Sequence, residues 1–350
     1  MIYAEKQLTN IVAGAALLGA GGGGSVAHGK KIAREIIESN KKVEVVDPRK
    51  ISDAAVTAMV AMIGAPTVMI SGRGNEHLRA LEMFNANYKR KLDYIVPGEV
   101  GAGNSLVPLH ASAFSGIPAV NGDSAGRAVP ELQDSSFNIY GVPISPMSLA
   151  NAEGEGGMIF VNSAESAESI CRAMTRVFGN IAGFVAFPMK GSKLKEVIIP
   201  DTYTMCERVG EIISRSKPSG ERISEKLQKE FGMVELGRGL VTKKMTEVRE
   251  GFDRGVAEVE GKDTSLTVLF KNENIIAMKK GKIVAMIPDL VCWLSEDGDS
   301  LSNAEVEKGR RVIVLGLAAH KVMRTKKALA VFRHLYAEQG QDVGYRPLLK

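Results

Sequence analysis

Two short apolar runs in the first half of the chain each end in a loop of glycines and charged residues. Residues 94–96 lead into residues 97–104 (PGEVGAGN), and residues 117–120 lead into residues 121–133 (NGDSAGRAVPELQ). Short apolar runs bounded by turn-forming residues are typical of buried strands. Because open α/β sheets hold their ligands in loops at the carboxyl ends of strands, the two segments predict one polar site at a sheet edge.

The alternation of apolar runs with amphipathic segments extends through the first 120 residues. Predicted helices cover residues 9–18, 25–39, 75–88 and 104–115, and predicted strands cover residues 43–46, 55–63, 67–70, 93–96 and 117–120. Such alternation is typical of a sheet whose strands run mostly parallel and are covered by helices. The pattern therefore predicts an α/β N-terminal domain with a largely parallel, covered sheet over residues 1–160.

Beyond about residue 150 the pattern changes, and the domain boundary is placed between residues 150 and 165. Helices at 164–178, 201–216 and 219–231 and strands at 157–161 and 181–187 precede runs of β-branched residues at 256–259, 266–270, 275–278, 283–287 and 312–317. Short strands separated by glycine, asparagine and aspartate predict an α+β, β-rich C-terminal domain over residues 161–350.

Charge and composition narrow the possible partners. The 350 residues carry a net charge of +5, and the densest cationic run covers residues 321–327. This run fits the solvated face of a C-terminal helix better than a nucleic-acid-binding stripe. The apolar runs fall short of the roughly 18 residues that cross a bilayer. The sequence therefore predicts a small-molecule partner and neither nucleic-acid nor membrane binding.

The three cysteines, Cys171, Cys206 and Cys292, lie far apart and form no CxxC pair. An odd number of separated cysteines does not make a disulfide framework, and reduced cysteines are typical of the cytoplasm. The first residues also lack the pattern of a signal peptide. Together these features predict a cytoplasmic protein.

The glycine run Gly21, Gly22, Gly23 and Gly24, followed by Ser25, admits two interpretations. Ser25 is predicted to cap a helix, and the N–H groups at a helix start attract anions, so the run resembles a phosphate cradle. However, it follows a helix and matches neither a Walker motif nor a dinucleotide fingerprint. The alternative is a tight connection between helices that bounds a polar cleft. Four consecutive glycines lose much conformational entropy on folding. This cost favours a functional or structural role for the loop over a purely incidental one.

Glu99 and His110 are the candidates for proton transfer. Glu99 follows a strand end, where a buried carboxylate can act as a general base or a metal ligand. Its alternative role is to cap the next helix, for which Asn104 is the predicted N-cap. His110 lies in the same predicted helix and is either a structural histidine or, if it faces the cleft, a proton-transfer group.

Asp123 and Glu131 bracket Arg127 in the second loop. One interpretation is an arginine–carboxylate pair that holds the loop. The other is a guanidinium clamp for an anionic or carbonyl-bearing ligand. Residues 71–74 (SGRG) form a further predicted strand-end loop that can line the same cleft.

The chain contains no HExxH, HxH or paired-cysteine motif, so the sequence does not identify a metal. If a divalent metal binds, the predicted ligands are Glu99, His110 and Asp123. Cofactor use stays open at this point.

In the glycine run and the two strand-end loops, the chain resembles the DUF917 family of S-methyl thiohydantoin desulfurase-like proteins. These proteins are related to hydantoinase and oxoprolinase systems. The matching segments are residues 19–25, 97–104, 123–133, 287–290 (IPDL) and 344–348 (GYRPL). The likeness extends over nearly the whole chain and implies one N-terminal and one C-terminal family domain. It also implies a role in the chemistry of cyclic amides such as hydantoins.

The main hypothesis is therefore an enzyme that adds water to a small cyclic amide, either a hydantoin or an S-methyl thiohydantoin-like ring. Proton transfer is expected from a carboxylate or histidine, and oxyanion stabilisation from the arginine, the asparagine and backbone amides. The predicted catalytic residues are Glu99, His110, Asp123 and Arg127, and the predicted substrate-binding residues are Gly21, Gly22, Gly23, Gly24, Ser25, Asn104 and Glu131.

Two other classes of protein stay open. One is a non-catalytic subunit or small-ligand-binding partner of a hydantoinase- or oxoprolinase-type enzyme. The other is a nucleotide-dependent enzyme that uses the Gly21–Gly24 loop. The sequence leaves open whether the chain forms a homo-oligomer or binds a hydantoinase-type partner subunit.

Overall fold

The computed structural model describes residues 1–64, 74–341 and 343–348. The predicted strand 67–70 and residues 71–73 of the predicted cleft loop lie outside the described residues. The helices are α1 (Glu5–Leu18), α2 (Val26–Glu38), α3 (Glu76–Asn87), α4 (Leu106–Ser115), α5 (Ser136–Ile139), α6 (Ala164–Val177), α7 (Gly191–Val197), α8 (Thr202–Ser216), α9 (Gly220–Phe231), α10 (Lys326–Val331) and α11 (Arg333–Glu338).

The strands form two large sheets and one small one. They are β1 (Ile2–Tyr3), β2 (Val43–Val46), β3 (Val56–Gly64), β4 (Tyr94–Pro97), β5 (Ala119–Val120), β6 (Gly122–Asp123), β7 (Met147–Ala150), β8 (Gly156–Ile159), β9 (Ile181–Lys190), β10 (Ile199–Pro200), β11 (Val234–Arg249), β12 (Phe252–Gly261), β13 (Thr264–Lys271), β14 (Glu273–Lys279), β15 (Lys282–Met286), β16 (Leu290–Ser295), β17 (Ser300–Leu301) and β18 (Arg311–Leu317). The small sheet pairs β6 with β10.

The first large sheet has the strand order β1-β2-β5-β4-β3-β9-β7-β8. Strands β2, β5, β4 and β3 are parallel to one another, and the remaining neighbours pair antiparallel. Strand β3 is buried along almost its whole length, as expected for a strand covered on both faces. The predicted α/β fold class of the N-terminal domain is thereby confirmed, with a mixed sheet whose central strands are parallel.

Strand β9 lies beyond residue 160 in the chain but belongs to the first sheet. It pairs antiparallel with β3 on one side and with β7 on the other. Its apolar residues Ala182, Phe184 and Ala186 are buried in the core cluster that also contains β7. The chain therefore returns to the first sheet before it builds the second one.

The second large sheet is antiparallel throughout, with the order β15-β14-β13-β12-β11-β18-β16-β17. Alternate residues of β13 are buried, which is typical of a strand with one face on a core. Trp293 and its apolar neighbours form that core. The predicted β-rich character of the C-terminal domain is confirmed.

The features of the C-terminal half that differ from the sequence-based expectation include strands β11 and β16, which were not predicted, and the division of the predicted C-terminal helix. Strand β11 was not predicted, because its outer half is exposed and rich in lysine, glutamate and arginine. Residues 321–327, predicted as part of one helix, are divided between a 3₁₀ turn (Lys321–Arg324) and α10. The division occurs because the Thr325 side chain accepts a hydrogen bond from the Ala328 N–H and starts a new helix. In the described part of the chain, every helix is too short or too polar to cross a membrane.

Candidate active site

The glycine run packs directly on the loop that follows β4. The carbonyl of Gly23 accepts hydrogen bonds from the N–H groups of Gly103 (2.9 Å) and Asn104 (3.1 Å). A β-carbon on Gly23 would lie 2.4 Å from the Cα of Gly101, so only glycine permits this approach. The two segments that the sequence singled out thus form one continuous wall.

Glu99 is half-buried in this wall and has a fixed orientation. Its Oε1 accepts a 2.7 Å hydrogen bond from Nδ2 of Asn104, and its Oε2 accepts a 2.8 Å bond from the N–H of Val129. Burial raises the pKa of Glu99 to about 7, although both hydrogen bonds and the charge of Arg127 favour the carboxylate. Glu99 is therefore a carboxyl that can exchange a proton near neutral pH.

Asn104 was predicted as the N-cap of α4, and this prediction is wrong. Ser105 occupies the N-cap position, while the Asn104 side chain turns to Glu99 and accepts a 3.3 Å bond from the N–H of Met62. The adjacent Gly101–Gly103 segment adds a turn before the helix. Asn104 therefore belongs to the wall of the site.

Glu273, the first residue of β14, reaches the same wall from the second sheet. Glu273 is 3% exposed, and its Oε2 has no hydrogen-bond partner among the described residues. A β-carbon on Gly22 would lie 1.9 Å from its Oε1. Burial and the charge of Glu99 raise the pKa of Glu273 well above its usual range, while Arg127 acts in the opposite direction.

Sequence reasoning missed Glu273 because its surroundings resembled an ordinary hairpin turn. The strands on either side were predicted, and residues 271–274 (KNEN) were left as their polar link. A glutamate between two asparagines, flanked by strongly apolar strands, was the available signal. In the folded protein this link is buried against the N-terminal domain. Its position depends on the register of the sheet, which local sequence does not define.

These residues surround a pocket with about 680 Å³ of empty volume, its open mouth included. Its polar wall includes Glu99, Asn104, Glu131, Glu168, Arg172, Asn272 and Glu273, and its apolar wall includes Met59, Ala61, Met62, Ile63, Val129, Leu132 and Phe184. The predicted residues Gly23 and Gly24 also line it. The pocket lies where the first sheet meets the second, so both halves of the chain contribute to it.

Two of the four glutamates in this pocket have cationic partners. Glu168 accepts a 2.6 Å bond from Nε of Arg172, and Glu131 pairs with the buried Lys271. Burial would raise the pKa of Glu131, but His334 and Lys271 outweigh it and lower that pKa to about 2. Glu131 is therefore a fixed anion at the pocket rim.

Asp123 and Arg127 lie next to the pocket but not among its lining residues. Oδ1 of Asp123 accepts bonds from the N–H groups of Ala125 (2.7 Å) and Gly126 (2.6 Å), which closes a turn. Burial raises the pKa of Asp123 to about 7. Asp123 therefore holds the loop through its Oδ1.

The Arg127 guanidinium is buried and bonds to three backbone carbonyls. Nε donates to Ala128 (2.8 Å), Nη1 to Asp289 (2.7 Å) and Nη2 to Asn274 (2.9 Å). Two of these carbonyls belong to the second sheet and its loop. Arg127 therefore joins the two halves of the protein, and its hydrogen bonds go to backbone carbonyls and not to the predicted carboxylate partners.

His110 faces away from the pocket and belongs to a separate buried cluster. Its Nδ1 lies 2.9 Å from Nε2 of His77, and its Nε2 lies 3.6 Å from Oε2 of Glu35. Burial and Lys41 lower the pKa of His110 to about 4. The structure does not bring His110 together with Glu99.

The predicted metal set of Glu99, His110 and Asp123 is not assembled. Within the described ranges, three potential ligand atoms lie within 4.8 Å of one another only at Glu131, His334 and Glu338. There the Nζ of Lys271 lies 2.9 Å from Oε2 of Glu338 and also contacts Glu131, so a protein ammonium group already occupies the position of a cation.

The start of α2 does not form an open anion site. The Ser25 side chain accepts a bond from the N–H of His28, which confirms its predicted N-cap role. The N–H of Val26 donates to Oε1 of Glu305 at 2.9 Å. A glutamate from the C-terminal domain therefore takes the place that a phosphate would need.

The fold and the pocket define a two-domain protein with a pocket between an α/β half and an antiparallel β half. Family models for the S-Me-THD-like N-terminal and C-terminal domains match residues 6–160 and 162–347. The chain belongs to the S-Me-THD-like family.

A comparison with solved structures shows the same fold in another protein. The chain resembles an X-ray structure of a protein from Chromobacterium violaceum, a structural-genomics target designated CvR68, with a TM-score of 0.87 and 24% sequence identity over 100% of both chains. A comparison with curated proteins gave no match.

Proposed function

We propose that this protein is a hydrolase that adds water to a small cyclic amide or thio-substituted hydantoin. The position of Glu99 carries the proposal. Two hydrogen bonds fix its carboxyl in the pocket wall, and its pKa of about 7 makes both protonation states available at neutral pH. These are the properties of a general base that removes a proton from water.

The pocket lining supports a small neutral ring as substrate. The apolar wall, with Met59, Met62, Ile63 and Phe184, suits an S-methyl group or another apolar substituent, because thioethers pack well against aromatic and apolar side chains. The acidic polar wall disfavours a phosphate. This lining favours a cyclic amide over a nucleotide, and the Glu305 contact at α2 points the same way.

Two neighbouring residues are assigned positioning roles. Asn104 orients the carboxyl of Glu99. The buried charge of Arg127 favours the ionised form of Glu99 without lining the pocket. His110 and Asp123 have no direct part in the proposed reaction, and no step uses a metal bound by Glu99, His110 and Asp123.

The test is turnover of S-methyl thiohydantoin, hydantoin and 5-oxoproline by the purified chain, followed by chromatography and, for the first, by a thiol reagent that detects methanethiol. Glu99→Gln keeps the side-chain shape and removes the base, and we expect kcat to fall by about 10²- to 10⁴-fold. The matched control is Glu196→Gln, an exposed glutamate on α7 with 66% side-chain exposure.

The alternative of a non-catalytic partner subunit gives a different result. In that case the three rings raise the melting temperature of the chain, but none is converted until a hydantoinase-type partner is added. Wild-type turnover by Glu99→Gln would contradict the assignment of the base while leaving the substrate class intact.

A further inference from the structure

Glu273 is the one glutamate of the pocket wall that combines deep burial with an unpartnered oxygen among the described residues. Glu131 and Glu168 have cationic partners, and Glu99 has two N–H donors. Glu273 is 3% exposed, lines the pocket and leaves its Oε2 without a hydrogen-bond partner. Burying a polar group without a partner is costly, so such a group in a pocket indicates contact with a ligand.

The glycine run connects Glu273 to Glu99 through direct contacts. Gly22 lies against Oε1 of Glu273, where a β-carbon would clash at 1.9 Å. The next residue, Gly23, accepts the N–H of Asn104 at 3.1 Å, and the Asn104 side chain bonds to Glu99. The same four-glycine segment therefore supports both carboxyl groups, one from each half of the protein.

The electrostatics of the two carboxyls are consistent with this arrangement. The negative charge of Glu99 is among the causes that raise the pKa of Glu273, second only to burial. Neighbouring carboxyls in a low-dielectric pocket do not ionise together readily, and one of them retains a proton. The more deeply buried Glu273 is the one that keeps it.

We propose that Glu273 is the second catalytic carboxyl of this pocket, a proton donor that works opposite the base Glu99. This assignment rests on the hydrolase function proposed above. It makes the site a two-carboxyl acid–base system assembled across the contact between the two sheets. The N-terminal domain alone, which holds every residue of the predicted site, would then lack one half of the catalytic pair.

The two carboxyls complete the reaction of an S-methyl thiohydantoin without a change of oxidation state. As the water oxygen bonds to the ring carbon that bears sulfur, Glu99 takes one water proton and Glu273 gives its proton to the ring nitrogen, which accepts the C=N electron pair. Glu273 then takes the remaining hydroxyl proton as the C=O bond forms. The C–S bond breaks, and Glu99 gives its proton to the departing sulfur, so methanethiol leaves and both carboxyls return to their starting states.

The test compares Glu273→Gln, Glu99→Gln and the Glu196→Gln control in the full chain. We expect Glu273→Gln to lower kcat by about 10²- to 10⁴-fold, with KM changed less than threefold. It should also abolish the alkaline limb of the pH–rate profile, whereas Glu99→Gln abolishes the acidic limb. A purely structural role would lower the melting temperature without removing one limb selectively.

A second measurement needs no substrate. The infrared spectrum of Glu273→Gln is subtracted from that of wild type at neutral pH. The difference isolates the carboxyl band of Glu273 from those of other buried acids such as Asp123. We expect this band to be that of a protonated carboxyl. Wild-type kcat and pH profile in Glu273→Gln, or the absence of that band, would overturn the inference while Glu99→Gln still tests the base. Failure of the wild-type chain to convert any ring would overturn the proposed function and this inference together.

Discussion

Gly22 and Glu273 are in contact across the two halves of the protein, with the glutamate carboxyl occupying the space that any side chain at position 22 would fill. A β-carbon there would lie 1.9 Å from Oε1 and 2.5 Å from Cδ of Glu273. The glutamate is too deeply buried to move aside into solvent. The glycine at this position is therefore required by a side chain about 250 residues away in sequence.

We expect Gly22→Ala to destabilise the protein by about 1–3 kcal/mol, the usual cost of overpacking a buried contact. Urea unfolding measures this free energy. Gly157→Ala is the control, because a β-carbon at Gly157 meets nothing within 4 Å. In the double variant Gly22→Ala/Glu273→Ala the carboxyl that causes the clash is absent, so the two effects should couple by 0.5 kcal/mol or more. Simple additivity would contradict the proposed contact.

The sequence predicted the helices and strands of this fold better than it predicted which of them pack or pair with one another. The helix after Ser25, the strands 43–46 and 266–270 and the helices after residues 201 and 219 lie close to their predicted bounds, because their signals are local periodicity and capping. Strand β9 was predicted as a strand, but its place between β3 and β7 is a long-range pairing that periodicity does not encode.

The candidate site shows the same limit. Glu99, Asn104 and Glu131 were predicted from loops at strand ends, and Gly23 and Gly24 from the glycine run between two helices. The structure brings all five to one pocket. His110 was selected for its chemistry, but the side of α4 that it occupies faces His77 instead. Which face a helix turns to a cleft depends on packing against the rest of the fold, and the sequence of α4 is apolar on most sides.

Asn104→Ala should shift the acidic limb of the pH–rate profile to higher pH. The Asn104 hydrogen bond favours the carboxylate of Glu99 and lowers its pKa. A hydrogen bond to a charged group contributes about 1.5–3 kcal/mol, so its loss should raise the limb by about one pH unit or more. The measurement is kcat/KM between pH 5 and 9. An unshifted limb would show that a group other than Glu99 controls the acidic side.

Arg127→Met should act mainly on stability. The guanidinium bonds to carbonyls of Ala128, Asp289 and Asn274, and the variant leaves these buried acceptors unpaired. Each such group costs about 1–3 kcal/mol, so we expect a loss of several kcal/mol in urea unfolding. Arg127→Lys retains the charge and should recover part of the lost stability. A stable Arg127→Met protein with a raised KM would instead support the ligand clamp that the sequence suggested.

His334 should make the stability of the folded protein depend on pH. Although burial opposes its charged form, Glu131 and Asp134 raise the pKa of His334 to about 9. A histidine with a raised pKa stabilises the folded state fully below its unfolded pKa of about 6.5 and loses this contribution as pH rises through 9. The difference between the unfolding free energies of wild type and His334→Gln should therefore decrease as the pH rises from 6.5 to 9. A flat difference would contradict the ion-pair cluster around Lys271.

His110 should show the opposite dependence, since its pKa is lowered to about 4. The folded state resists protonation of His110. The contribution of neutral His110 to stability is therefore fully present above pH 6.5 and is lost as the pH falls from 6.5 to 4. At about 1.4 kcal/mol per pKa unit, wild type should lose about 3 kcal/mol relative to His110→Asn across this range. Asparagine retains a polar atom near Nε2 of His77, which makes it a fair reference. Urea unfolding at pH 4.5 and 7 measures the difference. If wild type and His110→Asn lose stability in parallel on acidification, His110 is not buried as a neutral group, and its exclusion from the catalytic pocket would have to be reconsidered.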